Sequence, residues 1–520
     1  MQIVYLIKRM QHIPAASICG ITEQSKIKIP LFVNCFNERD EENDELFEKK
    51  SFNFPKFTLG HAHGSSHGAS RIIRCTHGES HILPFALDAF KEWEEMEKID
   101  RNAGKALILK NGVLTIDYDW KRTLEKSDIL RSFNVPHEIL YGGSIIQRRF
   151  PQFVNFDKNY SAIYEPGGGA LLANNCLEAV QRQFQALGSL ATLKDNEKVL
   201  SIVPIPQKEN GFSLLEVATN KGTCYYANNV VVATGGWLPN LLPNIPVLPH
   251  RVGVCFWKVL SRPELFKPEN GTAPSFVIIE ENGQIYYSLP CIDYPNAIKV
   301  LSRPELFKPE NGTAPSFVII EENGQIFYSL PCIDYPNAIK HDVFFDFPWG
   351  SDNSLINFSG ISQYLALHGW DLPITTMDDH LALHGWDLPI TKMDEHVFGD
   401  KTKISDWTGI SHYISKHFPD LDSSSPMLKY ACVYNLTEDE NFIVDRHPQI
   451  PNLFIAGGFS GTGFKHALTI GKIISNWING KNVDFDMEKF KIDRKTNIII
   501  IIVRVEADPP LQVGQWHLYK

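Results

Sequence analysis

Four stretches of this sequence carry residue types and spacings that could do chemistry. In GFSGTGFKHALTIGKII (458–474) a buried-strand pattern runs into a glycine-rich turn and then a helical pattern. Gly458, Ser460, Gly461 and Gly463 form that turn, and its glycines let the backbone approach a ligand closely. The helix start aims N–H groups and its dipole at an anion or an electron-rich ring. Lys465 adds a fixed positive charge, although an ordinary strand–turn–helix with a surface lysine would read the same way. HGSSHGASRIIR (63–74) gathers His67, Arg71 and Arg74. Three apart, the arginines would share one face of a helix, where two guanidiniums could bind a carboxylate or lie against a planar ring. The plainer reading is a basic helix start paired with surface acids. In YACVYNLTEDENFIVDRHP (430–448) Cys432 lies in an apolar run, where a lone cysteine is usually a small core hydrophobe. VVVATGGW (230–237) ends an apolar strand in Ala-Thr-Gly, and Gly235 suits a nucleotide-binding junction or a tight turn equally.

The elements that must position these residues alternate. Residues 82–98 and 174–190 have helical periodicity, and a short strand is expected around Val199. The runs at 229–234 and 452–456 are too short for helices, and each stops at a Gly-Gly pair. Strands alternating with helices predict an α/β core. The stretch from about 250 to 420 is richer in Pro, aromatic residues and hairpin signals, and reads as a separate β-rich domain. Residues 38–50 are a charge run, expected to be solvated or disordered.

Two repeats interrupt this order. Residues 259–299 recur at 300–340 with Tyr286 changed to Phe327, and 365–380 recur at 381–396 with small changes. Solenoid repeats diverge and number three or more. These two pairs instead read as recent exon duplication or as an error in assembling the coding sequence, and we favour the second. Each long copy holds SFVIIEENGQI followed by an aromatic pair, two strands around an Asn-Gly turn. A fold with room for one hairpin must carry the other as an added edge unit or insertion.

Composition narrows the classes further. The chain has 520 residues, 43% of them hydrophobic, which is ample for a large core. A net charge of -10 with interspersed charges argues against nucleic acid. The nine cysteines show neither a CxxC pair nor metal-ligand spacing, which favours free thiols in a reducing compartment. The start has no good signal-peptide core, and the Ile498–Val503 run is far short of the roughly 20 residues that span a bilayer. A soluble, intracellular protein is the expectation, with no membrane partner; the oligomeric state is open.

Taken together, HGSSHGASRIIR, GFSGTGFK and the block from Cys432 to Pro448 resemble the signatures of the monomeric sarcosine oxidase family, most closely its peroxisomal sarcosine/pipecolate oxidases. SAIYEPGGGALLANNCLEAV and SHYISKHFPDL are similar to its connecting segments. The resemblance implies an α/β (α+β) fold: a FAD-binding Rossmann-like domain from 57–80, 151–250 and 425–494, lacking its first βαβ unit. An antiparallel-sheet substrate domain would come from 81–150 and 251–424, between atypical ends at 1–56 and 495–520. It implies FAD held by a thioether at Cys432, with Arg71 and His67 against the isoalloxazine. By the same resemblance Val199 would lie on the strand that touches the adenine, and Gly235 and the 458–463 turn would be cofactor-binding. Arg74 and Lys465 would clamp a substrate carboxylate, Tyr434 would line the cavity, and Lys299 or its duplicate Lys340 would promote the reaction with oxygen. The implied activity is oxidation of a secondary amino acid (sarcosine, another N-methyl amino acid or L-pipecolate) to an imine, with oxygen reduced to hydrogen peroxide. The chain departs from the family at both ends. Residues 1–56 contain no G-x-G-x-x-G, which implies a lost central strand and helix and a weakened hold on the ADP half of the cofactor. The last residues are not the peroxisomal tripeptide of relatives, so the location is peroxisomal by resemblance and otherwise cytoplasmic. The alternative is a remnant that no longer binds FAD.

Overall fold

The computed structural model describes residues 3–7, 51–56, 64–205, 214–270, 273–303, 318–322, 325–329, 407–494 and 501–505. The chain divides into two units, Met1–Pro304 with Asp387–Arg494, and Glu305–Trp386 with Lys495–Lys520. The charge run at 38–50, the short repeat pair and Lys340 lie outside the described residues.

The first unit is organised by a six-stranded sheet in the order Ile443–His447, Ile450–Gly457, Asn229–Ala233, Ile3–Ile7, Ser51–Asn53 and Ala191–Leu193. The valine run is buried on both faces, as a central strand requires. Val230 and Val232 pack with Leu453 and Ile455 against Phe52 and Phe54. Val231 turns the other way, with Phe454 and Ala456, onto Ile470, Ile473 and Ile474 of the helix Gly463–Ile478. The period of two in the strands and the helical spacing of the isoleucines thus make one layer contact.

The expected loss of a central strand is corrected here. Ile3–Ile7 fills that place, but antiparallel, pairing Ile3 with Ala233 and Ile7 with Asn229. Asn229–Ala233 and Ile450–Gly457 are parallel, so their glycine turns share one edge of the sheet. Ile3–Ile7 brings its first residue to that edge and leaves from the opposite one. A strand running that way cannot open a phosphate-binding turn beside Thr234 and Gly458.

An eight-stranded sheet follows the order Leu428–Leu436, Leu248–Lys258, Ala297–Arg303, Ile285–Tyr294, Ser275–Ile279, Val113–Asp117, Ser161–Glu165 and Glu138–Tyr141. It is antiparallel except between Ser275–Ile279 and Val113–Asp117. The hairpin of the first long copy lies inside it and turns at Asn282-Gly283, where Gly283 has φ +84°. The hairpin of the second copy, Val318–Glu322 with Gln325–Ser329, belongs to the second unit and pairs with Ile501–Val505. The duplicate is therefore carried as an added sheet, as the one-place argument requires.

The helices expected at 82–98 and 174–190 are Leu83–Ile99 and Ala173–Gln185. The helix expected around Arg71 and Arg74 is not formed. Ser70–Ile73 is a strand, antiparallel to Gly169–Leu172. Two consecutive β-branched residues favour that choice, and Arg71 lies within the strand while Arg74 follows its end, so the two arginines do not share a helix face.

The large sheet is braced at Glu280, which accepts from Tyr160 Oη (2.9 Å) and Lys416 Nζ (2.7 Å) and lies 2.8 Å from His417 Nε2. Burial pushes this carboxyl up, but contacts from His417, Lys416 and Tyr160 outweigh it and bring the pKa down to about 2. A depressed carboxylate stabilises the fold above its unfolded pKa and stops doing so as pH falls through the folded one. Thermal unfolding is expected to show stability declining from about pH 5 toward pH 2. Glu280→Gln should flatten that limb and, with fully buried His417 deprived of its carboxylate, destabilise by about 3–5 kcal/mol at neutral pH.

Candidate active site

The strand Leu428–Leu436 pairs along its length with Leu248–Lys258, which sets Cys432 opposite Val252 and Tyr434 opposite His250. Period two puts Tyr430, Cys432 and Tyr434 on one face. Cys432 is buried, its Sγ 4.0 Å from the Gly64 carbonyl oxygen. The Tyr430 ring lies 5.3 Å from that of His67. Tyr434 borders the glycine turn, where a Cβ on Gly461 would stand 3.8 Å from its Cζ.

Basic groups converge on this face. Arg71 donates to the carbonyls of Ser65, His67 and Ser70, and its guanidinium lies 5.6 Å from the centre of the Phe464 ring. His67 Nδ1 contacts the Gly64 carbonyl, closing the loop on itself. Lys299, 3% exposed, donates to the Ser70 carbonyl (3.1 Å) and to Asp293 Oδ2 (3.2 Å). Asp293 Oδ1 in turn accepts from Ser70 Oγ. Burial and the Arg71 charge pull Lys299 down to about 8. Burial, together with Arg71 and Lys299, also lowers His67 against the opposing pull of the Gly64 carbonyl. The Cys432 thiol is pushed up by burial and drawn back by Arg71 and Lys299.

A second cationic pair, Arg74 and Lys465, lies just past the end of the Ser70–Ile73 strand. Lys465 is 6% exposed and makes no salt bridge among the described residues. Burial first, then the charge of Arg74, pulls its pKa down to about 7, with Glu165 and Cys75 opposing. Arg74 Nη1 donates to Thr115 Oγ1 (3.2 Å). Glu165 holds the end of the strand by accepting from the amides of Cys75 and Thr76 and from Thr76 Oγ1. Phe464 joins the two groups, lying under Arg71 and stacked on Trp93, whose Nε1 donates to the Lys465 carbonyl.

The structure thus brings Cys432, His67, Arg71 and Lys299 into one cluster and Arg74 and Lys465 into another. Val199 begins a three-stranded antiparallel sheet and packs in the core beside Phe52. Gly235 has φ +55°, and its carbonyl accepts from Asn435 Nδ2 (2.6 Å). Ser460 adopts φ +45° with its amide on the Asn435 carbonyl. Tyr430, Ser70, Asp293, Phe464 and Glu165 went unread in the sequence. Tyr430 follows from Cys432 by strand alternation, whereas the others announce themselves only through distant partners.

Can these residues hold a flavin dinucleotide? The cluster around Cys432 fits the ring: buried Lys299 and half-buried Arg71 place two cationic groups where an electron-rich acceptor becomes anionic. Thr234 Oγ1 and Asn435 Oδ1, both buried without a hydrogen-bond partner, sit at the edge carrying the glycine turns, where a polar ligand would satisfy them. The described residues present no pyrophosphate turn there, because Ile3–Ile7 runs the wrong way.

A parallel-strand edge with glycine turns, together with a large, mostly antiparallel sheet that carries buried Lys299, is a two-sheet α/β arrangement with a cationic site. The chain belongs to the FAD dependent oxidoreductase family (DAO), matching over residues 57–316 and 367–477. It is 26% identical over 450-odd residues to the monomeric sarcosine oxidase of Bacillus sp. (strain NS-129), covering 84% of this chain and 89% of that protein. To the peroxisomal sarcosine oxidase of Homo sapiens it is 25% identical, covering 84% and 88%. Among solved structures it is similar to NikD, an unusual amino acid oxidase essential for nikkomycin biosynthesis, in its open form. There the TM-score is 0.56 at 15% identity, covering 84% of this chain and 90% of that one. That last likeness is one of fold. Among the described residues no helix is long and apolar enough to cross a membrane.

Proposed function

We propose that this protein oxidises a secondary amino acid, such as sarcosine, another N-methyl amino acid or L-pipecolate, to its imine with release of hydrogen peroxide. The observation that carries the reading is the meeting of buried Cys432 and Lys299 with half-buried Arg71 in one cluster, joined through Phe464 to Lys465. When bound, FAD would supply the two-electron redox chemistry that links the amine to oxygen. The balance is an amine and oxygen giving an imine and hydrogen peroxide.

The chain's own residues do the rest. Arg74 and Lys465 bind the substrate carboxylate and fix the C–H bond, a positioning effect. Tyr434 walls the substrate space beside Gly461. Arg71 and His67 line the ring, and Cys432 forms the covalent link. Lys299, rather than Lys340, offers its ammonium to the charge that develops on oxygen. A peroxisomal setting, where peroxide is disposed of, belongs to this reading.

The test is direct. Purified protein should be yellow, and sarcosine or L-pipecolate should release one peroxide per imine formed. Colourless protein that stays colourless on adding FAD would favour the remnant reading. Yellow protein that bleaches with substrate but releases no peroxide would point to a dehydrogenase.

A further inference from the structure

We propose that Asp293 is a positioning residue that fixes Lys299 and sets its protonation, so that it governs the oxygen half of the reaction and leaves the amine half alone. This rests on the role given to Lys299 above. Asp293 belongs to the strand Ile285–Tyr294 and Lys299 to its neighbour Ala297–Arg303. The pair is 3.2 Å apart, and both side chains are almost wholly buried, at 5% and 4% exposure. The other Asp293 oxygen is held by Ser70 Oγ, and the Ser70 carbonyl accepts from both Lys299 and Arg71. One carboxylate therefore ties the hairpin of the large sheet to the strand that carries Arg71.

The charge count makes the tie consequential. The groups acting on Lys299 are Arg71 from its strand, His67 from the preceding loop, Cys432 from Leu428–Leu436, and Asp293. Tyr430, on the same face as Cys432, feels Arg71 and Asp293. Asp293 is the carboxylate among them, and Arg71 opposes it. Removing an opposite charge at this range lowers an amine's pKa by about 1–3 units. Lys299 would then be neutral at a pH where the wild type keeps its ammonium.

The experiment uses the holoenzyme and two half-reactions. Anaerobic bleaching by sarcosine or L-pipecolate should be unchanged within about twofold in Asp293→Asn. The return of colour on mixing with oxygen should lose its alkaline limb about 1–2 pH units earlier than in wild type. Asp293→Glu should restore most of the shift, and Asp293→Asn should add no further shift in a Lys299→Met background. A readout free of turnover accompanies this: in flavin-free protein, the rise of stability with pH that follows Lys299 deprotonation should begin about 1–2 units lower in Asp293→Asn. If Asp293→Asn does not fold, Ser70→Ala removes the second tether without removing charge and should give a smaller shift in the same direction. A recolouring profile that coincides with wild type overturns the proposal, as does an equal loss in both half-reactions. A wild type that no amine bleaches defeats the proposed function instead, and the flavin-free titration then decides on Asp293 alone.

Discussion

Lys465→Met is expected to give a folded, more heat-stable protein whose kcat/KM for amino-acid substrates has fallen by about 100-fold or more. Both effects have one cause. The ammonium of Lys465 sits in a buried place beside Arg74, with no salt bridge of its own among the described residues. Replacing an ill-compensated buried charge by an apolar side chain of similar volume often stabilises by about 1–4 kcal/mol. The same charge is what a substrate carboxylate would find between two cations. The pH dependence has a definite sign. The folded pKa of about 7 lies below the ordinary lysine value, so over that interval the unfolded chain binds more protons and stability climbs with pH. In wild type the unfolding midpoint should rise from about pH 7 upward, and in Lys465→Met that first rise should disappear. The rise due to Lys299, which begins near its pKa of about 8, should remain. A variant that keeps wild-type kcat/KM would leave Lys465 a buried lysine without a role in binding and remove the carboxylate clamp.

What the sequence made legible was local. Val230–Val232 read as a buried strand because three β-branched residues in a row leave no polar face, and the structure buries all three. Asn282-Gly283 read as a hairpin because Gly takes φ +84° there without strain. The segment around Arg71 misled, since a three-residue spacing suggests a helix face only if a helix forms, and the pairing with Gly169–Leu172 is invisible locally. The site depends on such distant pairings. Ser70 and Asp293 meet across 223 residues of sequence, so nothing near either one marks it as a partner. Lys299 was legible as a candidate, but its surroundings were not. Its place beside Ser70 and Asp293 follows from the pairing of Ile285–Tyr294 with Ala297–Arg303 and from a strand far away in the chain, neither of which is marked near Lys299 itself.

With the thioether proposed at Cys432, wild type should hold its flavin through acid precipitation, and Cys432→Ser is expected to release it, leaving a colourless pellet and a yellow supernatant. The substitution puts a hydroxyl where a buried thiol stood, which costs about 1–3 kcal/mol of stability unless the hydroxyl reaches a partner such as the nearby Gly64 carbonyl. Precipitation of folded, flavin-loaded protein reads the linkage separately from that cost. The rate of attachment should also report on the surroundings of the thiol. Burial raises the Cys432 pKa, and Arg71 and Lys299 work against that rise, so attachment through the thiolate depends on the two cations. In Lys299→Met one of them is gone, and reconstitution of flavin-free protein with FAD should reach the same covalent end point more slowly, by about tenfold per pKa unit gained. Raising the pH should recover the rate, because the thiol then ionises without the lysine. A Lys299→Met variant that attaches flavin as fast as wild type at neutral pH would show that the ammonium is too far from the sulfur to matter. The same result would leave Lys299 with the oxygen reaction alone and place the whole activation of the thiol on Arg71.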